Sequence, residues 1–317
     1  MRDGDWLVGY GMAGVTYEWS AQPCRAQITV AADGHVRVSS AGVDIGTGTY
    51  TVVTQLAAEL LGVHLEQVQV ELGDSDLPPA PQAGGSGLAI SLAGAVQSAA
   101  DNVLRALLSV VAEDQRSPLR GATVEKITVS NGRIHIVDAP SLGETYSDIL
   151  TRHELAEITA DGEASPQIEG ATMAPSPAFA AHFAEVHIDR ALGLMRVKRI
   201  VSAVDGGQIL NQKLARSQVV GGVIMGIGMT TLEETDFELG TGRIANATFG
   251  DYLIPVNADI EDLDVIFVGE PDRFNPLGIK GVGEIGTVGV SAAIANAVFH
   301  ATGRRFRSLP IKSEQFL

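Results

Sequence analysis

Eight consecutive residues, Gly221-Gly222-Val223-Ile224-Met225-Gly226-Ile227-Gly228, restrict this chain more than any others. They sit inside a proline-free segment from Gln212 to Glu234 that predicts a helix, yet four glycines are a poor composition for a helix interior. Such a helix is expected where a neighbour packs against bare backbone. The apolar stretch around it, Val219 to Met229, is well short of the roughly 20 residues of a membrane span.

The 317-residue chain as a whole reads as two lobes of one globular protein, with 45% hydrophobic and 19% charged residues. Its formal charge of −16 repels polyanions, which excludes backbone-driven nucleic-acid binding and a membrane-surface role. One cysteine, Cys24, can form neither an internal disulfide nor a zinc or iron–sulfur site. Met1 to Tyr10 has no apolar signal-peptide core. These features predict a cytoplasmic location, with export alongside a partner subunit left open.

Gln27–Val30 and His35–Ser39 predict a hairpin about Ala32-Asp33-Gly34, followed by a helix from Tyr50 to Leu61 that Gly62 closes. Gln67–Leu72 predicts a strand and Leu88–Glu113 a long buried helix. Asn131-Gly132 predicts a hairpin between Val124–Ser130 and Arg133–Val137, with a short helix over Thr145–Leu155. Phe183–Ile188 and Met195–Val201 predict another hairpin, Leu263–Val268 a strand, and Val290–Ala301 a last helix. The fold class is α+β, in two mixed lobes: residues 1–160, a linker at 161–177 and residues 178–317.

Gly9-Tyr10-Gly11-Met12-Ala13-Gly14 and Gly281-Val282-Gly283-Glu284-Ile285-Gly286 both match the GxGxxG pattern, but neither has the strand, helix and ribose-binding acid of a dinucleotide site. His182, Glu185, His187 and Asp189 crowd one strand; alternation puts the last three on one face, more simply the solvent side than a metal site. Gly46-Thr47-Gly48-Thr49 leads into a helix with a Thr N-cap and free amides, and Gly84-Gly85-Ser86-Gly87 repeats the arrangement; each suits an anion or plain capping. Glu284 stands among glycines, where a ligand can approach and apolar neighbours would raise a carboxyl toward a base's working range. It reads equally as a helix-start acid or a partner of Lys280.

Four segments together resemble the molybdenum-binding subunit of the xanthine dehydrogenase/aldehyde oxidase family: Gly42-Val43-Asp44-Ile45-Gly46-Thr47-Gly48-Thr49, Asp74-Ser75-Asp76-Leu77-Pro78, Val204-Asp205-Gly206-Gly207 and Gly278-Ile279-Lys280-Gly281-Val282-Gly283-Glu284. The resemblance covers nearly the whole chain and is nearest the bacterial aldehyde oxidoreductases, which share Thr47 where many members have glutamine. Gly4-Asp5-Trp6-Leu7-Val8-Gly9-Tyr10-Gly11 is similar to the middle of such a subunit, so the chain is identified with its C-terminal half.

The resemblance implies a molybdenum-dependent oxidoreductase that hydroxylates aldehydes or N-heterocycles with water as the oxygen source. It implies Glu284 as general base and molybdopterin as cofactor, with its cytosine dinucleotide form as the alternative. Gly46, Thr47, Gly48 and Thr49 match the first cofactor loop, Gly84, Gly85 and Ser86 the second, and Gln218 a glutamine that bonds the pterin. Lys280, Gly281, Val282 and Gly283 complete the implied contacts, and no protein side chain ligates the metal. The implied partners are the N-terminal molybdopterin-binding half, an iron–sulfur subunit and a FAD subunit. The alternative is a non-catalytic half that serves only in assembly.

Overall fold

The computed structural model describes residues 1–19, 21–165, 177–273 and 277–317. In chain order the elements are β1 (Arg2–Asp3), β2 (Trp6–Tyr17), β3 (Cys24–Ala31), β4 (Val36–Ser40), α1 (Thr49–Leu61), β5 (Val68–Leu72), α2 (Leu88–Val111), β6 (Ile127–Ser130), β7 (Arg133–Ile136) and β8 (Ala139–Thr145). There follow α3 (Tyr146–Arg152), β9 (Glu157–Ala164), β10 (Ala178–Asp189), β11 (Leu194–Asp205), α4 (Gln212–Thr231), β12 (Phe237–Glu238), β13 (Arg243–Ile244), β14 (Leu263–Val268) and α5 (Val290–Thr302).

The chain divides into two compact units. One comprises Met1–Glu18, Ser176–Phe274 and Gly278–Leu317; the other comprises Trp19–Pro175 and Asn275–Leu277. Unlike in the expected lobes, residues 1–18 group with the second half of the chain, because β2 pairs with β10 along its whole length, from Trp6 opposite Asp189 to Tyr17 opposite Ala178. Of the expected linker, 161–164 is the end of β9, and 166–176 lies outside the described residues.

The first unit is a sheet ordered β1-β2-β10-β11-β14, antiparallel except for the β11–β14 pair. Helix α5 lies on β2 and β10. Gly9 and Gly11 make that contact possible: a Cβ on Gly9 would stand 2.0 Å from the Ala297 carbonyl oxygen, and one on Gly11 2.2 Å from that of Ala293. The first GxGxxG match is therefore a seat for a helix.

The other unit holds a sheet ordered β5-β4-β3-β9 and a small sheet β6-β7-β8. The Ala-rich α2 packs on β9 and β3. Gly162 admits α2, since a Cβ there would come within 2.1 Å of the Ala99 amide nitrogen. Alternation along β3 buries Cys24, Ala26, Ile28 and Val30. Burial pushes the Cys24 thiol up to about 11, far from a reactive thiolate.

Candidate functional site

In the unit built on β2 and β10, the segment from Gly278 to Gly289 is fixed from three sides. At its start, Gly207 bridges to Ile279, the Lys280 amide donates to the Gly206 carbonyl at 3.0 Å, and the Gln208 amide donates to the Gly278 carbonyl at 2.7 Å. Gly206 leaves room for Val282, whose Cγ1 would be 2.5 Å from a Cβ at that position. The Lys280 ammonium lies 2.6 Å from Asp205 Oδ2 and is only 8% exposed.

Helix α4 supports the next part. A Cβ on Gly222 would meet the Thr287 amide nitrogen at 2.7 Å, one on Gly286 the Val219 carbonyl oxygen at 2.6 Å, and one on Gly226 the Val290 Cβ at 2.6 Å. The Gly-rich helix does meet a neighbour at bare backbone, and that neighbour is the loop carrying Glu284. Gln218, half-buried, adjoins the Val219 contact. Beyond it, Gly289 abuts Val15 and His182.

Glu284 itself is exposed, contrary to the expectation of a carboxyl enclosed by apolar neighbours. The surrounding glycines and Ile285, fully buried, face inward, while the carboxylate projects outward. Nor does it pair with Lys280, whose charge Asp205 takes. It accepts instead a hydrogen bond from the phenol of Tyr17, the last residue of β2.

His182 is fully buried on the core face of β10, with Nδ1 2.8 Å from Ser202 Oγ. Burial holds its imidazole below the usual 6.5, against the pull of the Ile285 and Val288 backbone. It therefore stands neutral beneath the Glu284 loop. Glu185, His187 and Asp189 share the opposite, half-buried face; His187 Nε2 pairs with Glu185 Oε1 at 2.8 Å, and Asp189 accepts from the Ala191 and Leu192 amides. Among the described residues no group of His, Cys, Asp and Glu is arranged to hold a metal.

The other implied cofactor residues lie in the second unit. In Gly46-Thr47-Gly48-Thr49 both glycine amides are already taken: Asp44 Oδ1 accepts from Gly46 at 2.9 Å and Gly48 at 3.1 Å, and Oδ2 accepts from Tyr50 at 3.3 Å. Desolvation opposes the Asp44 charge, but the amides of Gly46, Tyr50 and Gly48 outweigh it and hold the carboxyl below its ordinary range. The N-cap of α1 is Gly48 in a left-handed conformation, not a threonine. What the loop presents is a hydroxyl pair, with Thr47 Oγ1 and Thr49 Oγ1 3.1 Å apart.

Gly84-Gly85-Ser86 differs. Gly85 and Ser86 both have positive φ, +60° and +53°, and lead through Gly87 into α2, whose N-terminus has no side-chain cap and no acid in its first turn. A 24-residue helix that begins in this way has the positive end of its dipole at Gly87 and Leu88. This donor set fits an anionic group of the phosphate kind.

Reading from sequence missed Tyr17, and it named His182 and Asp205 without linking either to the Glu284 loop. Tyr17 carried no signal, because it lies 267 positions from Glu284. Asp44 did carry one, since an Asp two residues before a glycine commonly accepts from that amide.

Residues 1–261 match the molybdopterin cofactor-binding domain family. The aldehyde oxidoreductase molybdenum-binding subunit PaoC of Escherichia coli (strain K12) is 38% identical over 319 residues, which is 100% of this chain and 41% of that protein. The xanthine dehydrogenase molybdenum-binding subunit of Escherichia coli O157:H7 is 31% identical over 322 residues, 98% of this chain and 42% of that protein. Quinoline 2-oxidoreductase from Pseudomonas putida 86 shares the fold, with a TM-score of 0.85 at 24% identity, over 98% of this chain and 41% of that one. The chain thus spans about two fifths of the length of the curated relatives it matches. No helix of the described residues is long and apolar enough to cross a membrane. With the family matched over residues 1–261 and a 38% identical relative aligned along the whole of this chain, the chain belongs to the molybdopterin cofactor-binding domain family.

Proposed function

We propose that this chain is the C-terminal molybdopterin-binding part of a molybdenum hydroxylase that oxidises aldehydes or N-heterocycles with water as the oxygen source, and that Glu284 is its general base. The observation that carries this reading is the placement of Glu284: an outward carboxylate on a loop whose backbone is held by α4, by the Asp205 turn and by β2. A general base must be reachable by the group it deprotonates and held in one geometry, and this loop meets both conditions.

When bound, molybdopterin and its molybdenum supply the two-electron oxidation. In the second unit, the start of α2 with Gly84, Gly85 and Ser86 would receive a phosphate, and Thr47 and Thr49 belong to the first cofactor loop. In the first unit, the Gln218 amide and the backbone of Lys280-Gly281-Val282-Gly283 would meet the pterin. The Lys280 side chain is spent on Asp205, so its part is to hold the loop. The relatives named as aldehyde oxidoreductase and xanthine dehydrogenase subunits favour an aldehyde or a purine-like heterocycle. With Cys24 as its one cysteine, and that one buried, the chain carries no iron–sulfur cluster, so an iron–sulfur subunit and a FAD subunit take the electrons.

The test is Glu284→Gln in the assembled enzyme, with molybdenum measured by mass spectrometry and pterin by fluorescence after oxidation. Bound cofactor at wild-type stoichiometry with kcat lowered at least about a hundredfold is expected for a lost general base. Near-normal turnover would overturn the assignment, and a wild-type assembly without molybdenum would favour the scaffold role.

A further inference from the structure

The sheet β1-β2-β10-β11-β14 has a core face beneath α5 and a second face that the register makes apolar as well. Met12, Phe183 and Val201 stand in one row across β2, β10 and β11, and Ala181, Ala203 and Ile266 in the next, across β10, β11 and β14. Phe179 and Val268 lie in the row beyond, and Tyr10 in the row on the other side. Tyr10, Met12, Phe179, Phe183, Ile266 and Val268 are each between 46% and 51% exposed. A sheet face that meets water carries polar residues at these alternate positions, and a parallel pair such as β11 and β14 is ordinarily covered on both sides. Tyr10, Met12, Phe183 and Val201, with Glu185 and Arg199, line a groove of about 410 Å³. The charges of this face are matched within the chain: Glu185 pairs with His187 at 2.8 Å, Arg199 with Asp262 at 3.0 Å and Asp264 with Arg216 at 3.8 Å. What the face lacks is an apolar cover.

We propose that this face seats the part of the molybdenum-binding subunit that has no counterpart in this chain, as a permanent interface. The inference rests on the reading of the chain as part of a molybdenum hydroxylase. This chain corresponds to 41% of PaoC, so about three fifths of such a subunit lies outside it. The face leads to the proposed site, because its end row contains Asp205, whose carboxylate holds Lys280 at the entry to the Glu284 loop. Polypeptide that closes the site from this side therefore crosses the apolar rows. Permanent interfaces are the apolar ones, like a domain core cut in half, and charge is depleted at their centres. A second copy of the chain fits less well, since two bodies of net charge −16 repel each other.

Photo-crosslinking in the assembled enzyme tests it. A p-benzoylphenylalanine in place of Phe183 keeps an aromatic ring at the same half-exposed position, and the peptides it captures on irradiation are identified by mass spectrometry. Adducts to the remainder of the molybdenum-binding subunit are expected. Adducts to a second copy of this chain, to its own residues 19–175, to the iron–sulfur or FAD subunit, or to solvent alone would overturn the proposal. Where the substitution prevents assembly, the wild-type enzyme answers through Met12. Its oxidation by dilute hydrogen peroxide should be at least about tenfold slower in the assembled enzyme than in the same enzyme unfolded in urea, because a covered thioether is protected. A rate within about twofold of the unfolded one would show Met12 uncovered and overturn the proposal. Both readouts are independent of turnover, and the molybdenum content of the same preparation tests the hydroxylase reading separately. Stoichiometric molybdenum with adducts elsewhere overturns this proposal alone; the expected adducts in an assembly without molybdenum overturn the hydroxylase reading alone.

Discussion

The Lys280 ammonium sits 2.6 Å from Asp205 Oδ2, and the same carboxylate accepts from the Gly207 amide through Oδ1 at 3.1 Å. One acid therefore closes the turn after β11 and anchors the strand-like entry to the Glu284 loop. Lys280→Met should leave a mostly buried carboxylate without its cation and destabilise the chain by about 3 kcal/mol. Adding Asp205→Asn should recover part of that loss, read as a non-additive double-mutant cycle in urea unfolding.

Gly221 and Gly222 are neighbours on α4 with opposite sensitivities. Nothing lies within 4 Å of a Cβ on Gly221, so Gly221→Ala should raise stability by about 0.5–1 kcal/mol through helix propensity. A Cβ on Gly222 would stand 2.7 Å from the Thr287 amide nitrogen, which is backbone and cannot step aside, so Gly222→Ala should cost about 1–3 kcal/mol. Thermal unfolding of the two single variants gives the signs directly.

His182 is held neutral, its imidazole below the usual 6.5 because of burial. A group whose folded value is depressed binds its proton more readily when unfolded. Its contribution is therefore complete above pH 6.5 and declines as the pH falls below it. Replacement by Gln should make the loss of stability below pH 6.5 shallower than in wild type, measured as the urea midpoint against pH.

Arg152 binds two carboxylates, Asp114 Oδ2 at 2.6 Å through Nε and Glu144 Oε1 at 2.5 Å through Nη1. The Arg116 amide, with Arg152 behind it, holds the Asp114 carboxyl well below the usual 3.8. The stability this group contributes is present above pH 3.8 and lost as acid protonates it. Arg152→Met should lower the urea midpoint at neutral pH and reduce the further loss on acidification.

Elements whose residues carried their own punctuation were legible in the sequence. Gly62 and Gly303 close α1 and α5 in left-handed conformations, Asn131-Gly132 turns β6 into β7, and Asn211 caps α4 by accepting from the Leu214 amide. The illegible elements had their signal removed by tertiary packing. β2 resembles a loop because Gly9 and Gly11 exist for α5, and β9 resembles a linker because Gly162 exists for α2. At the site, the glycine-rich segments stood out in sequence. Their pairing did not, since Tyr17, Asp205 and His182 reach the Glu284 loop across distant strands that no local pattern couples.

The carboxylate of Asp44 occupies the amides that a glycine loop before a helix would otherwise turn toward an anion. Such a segment carries its own counter-ion, and its shape does not wait for a guest. Little of any later affinity is then consumed in ordering the segment. The approach to α1 is thus set by a side chain of the chain itself, four residues before the helix N-cap.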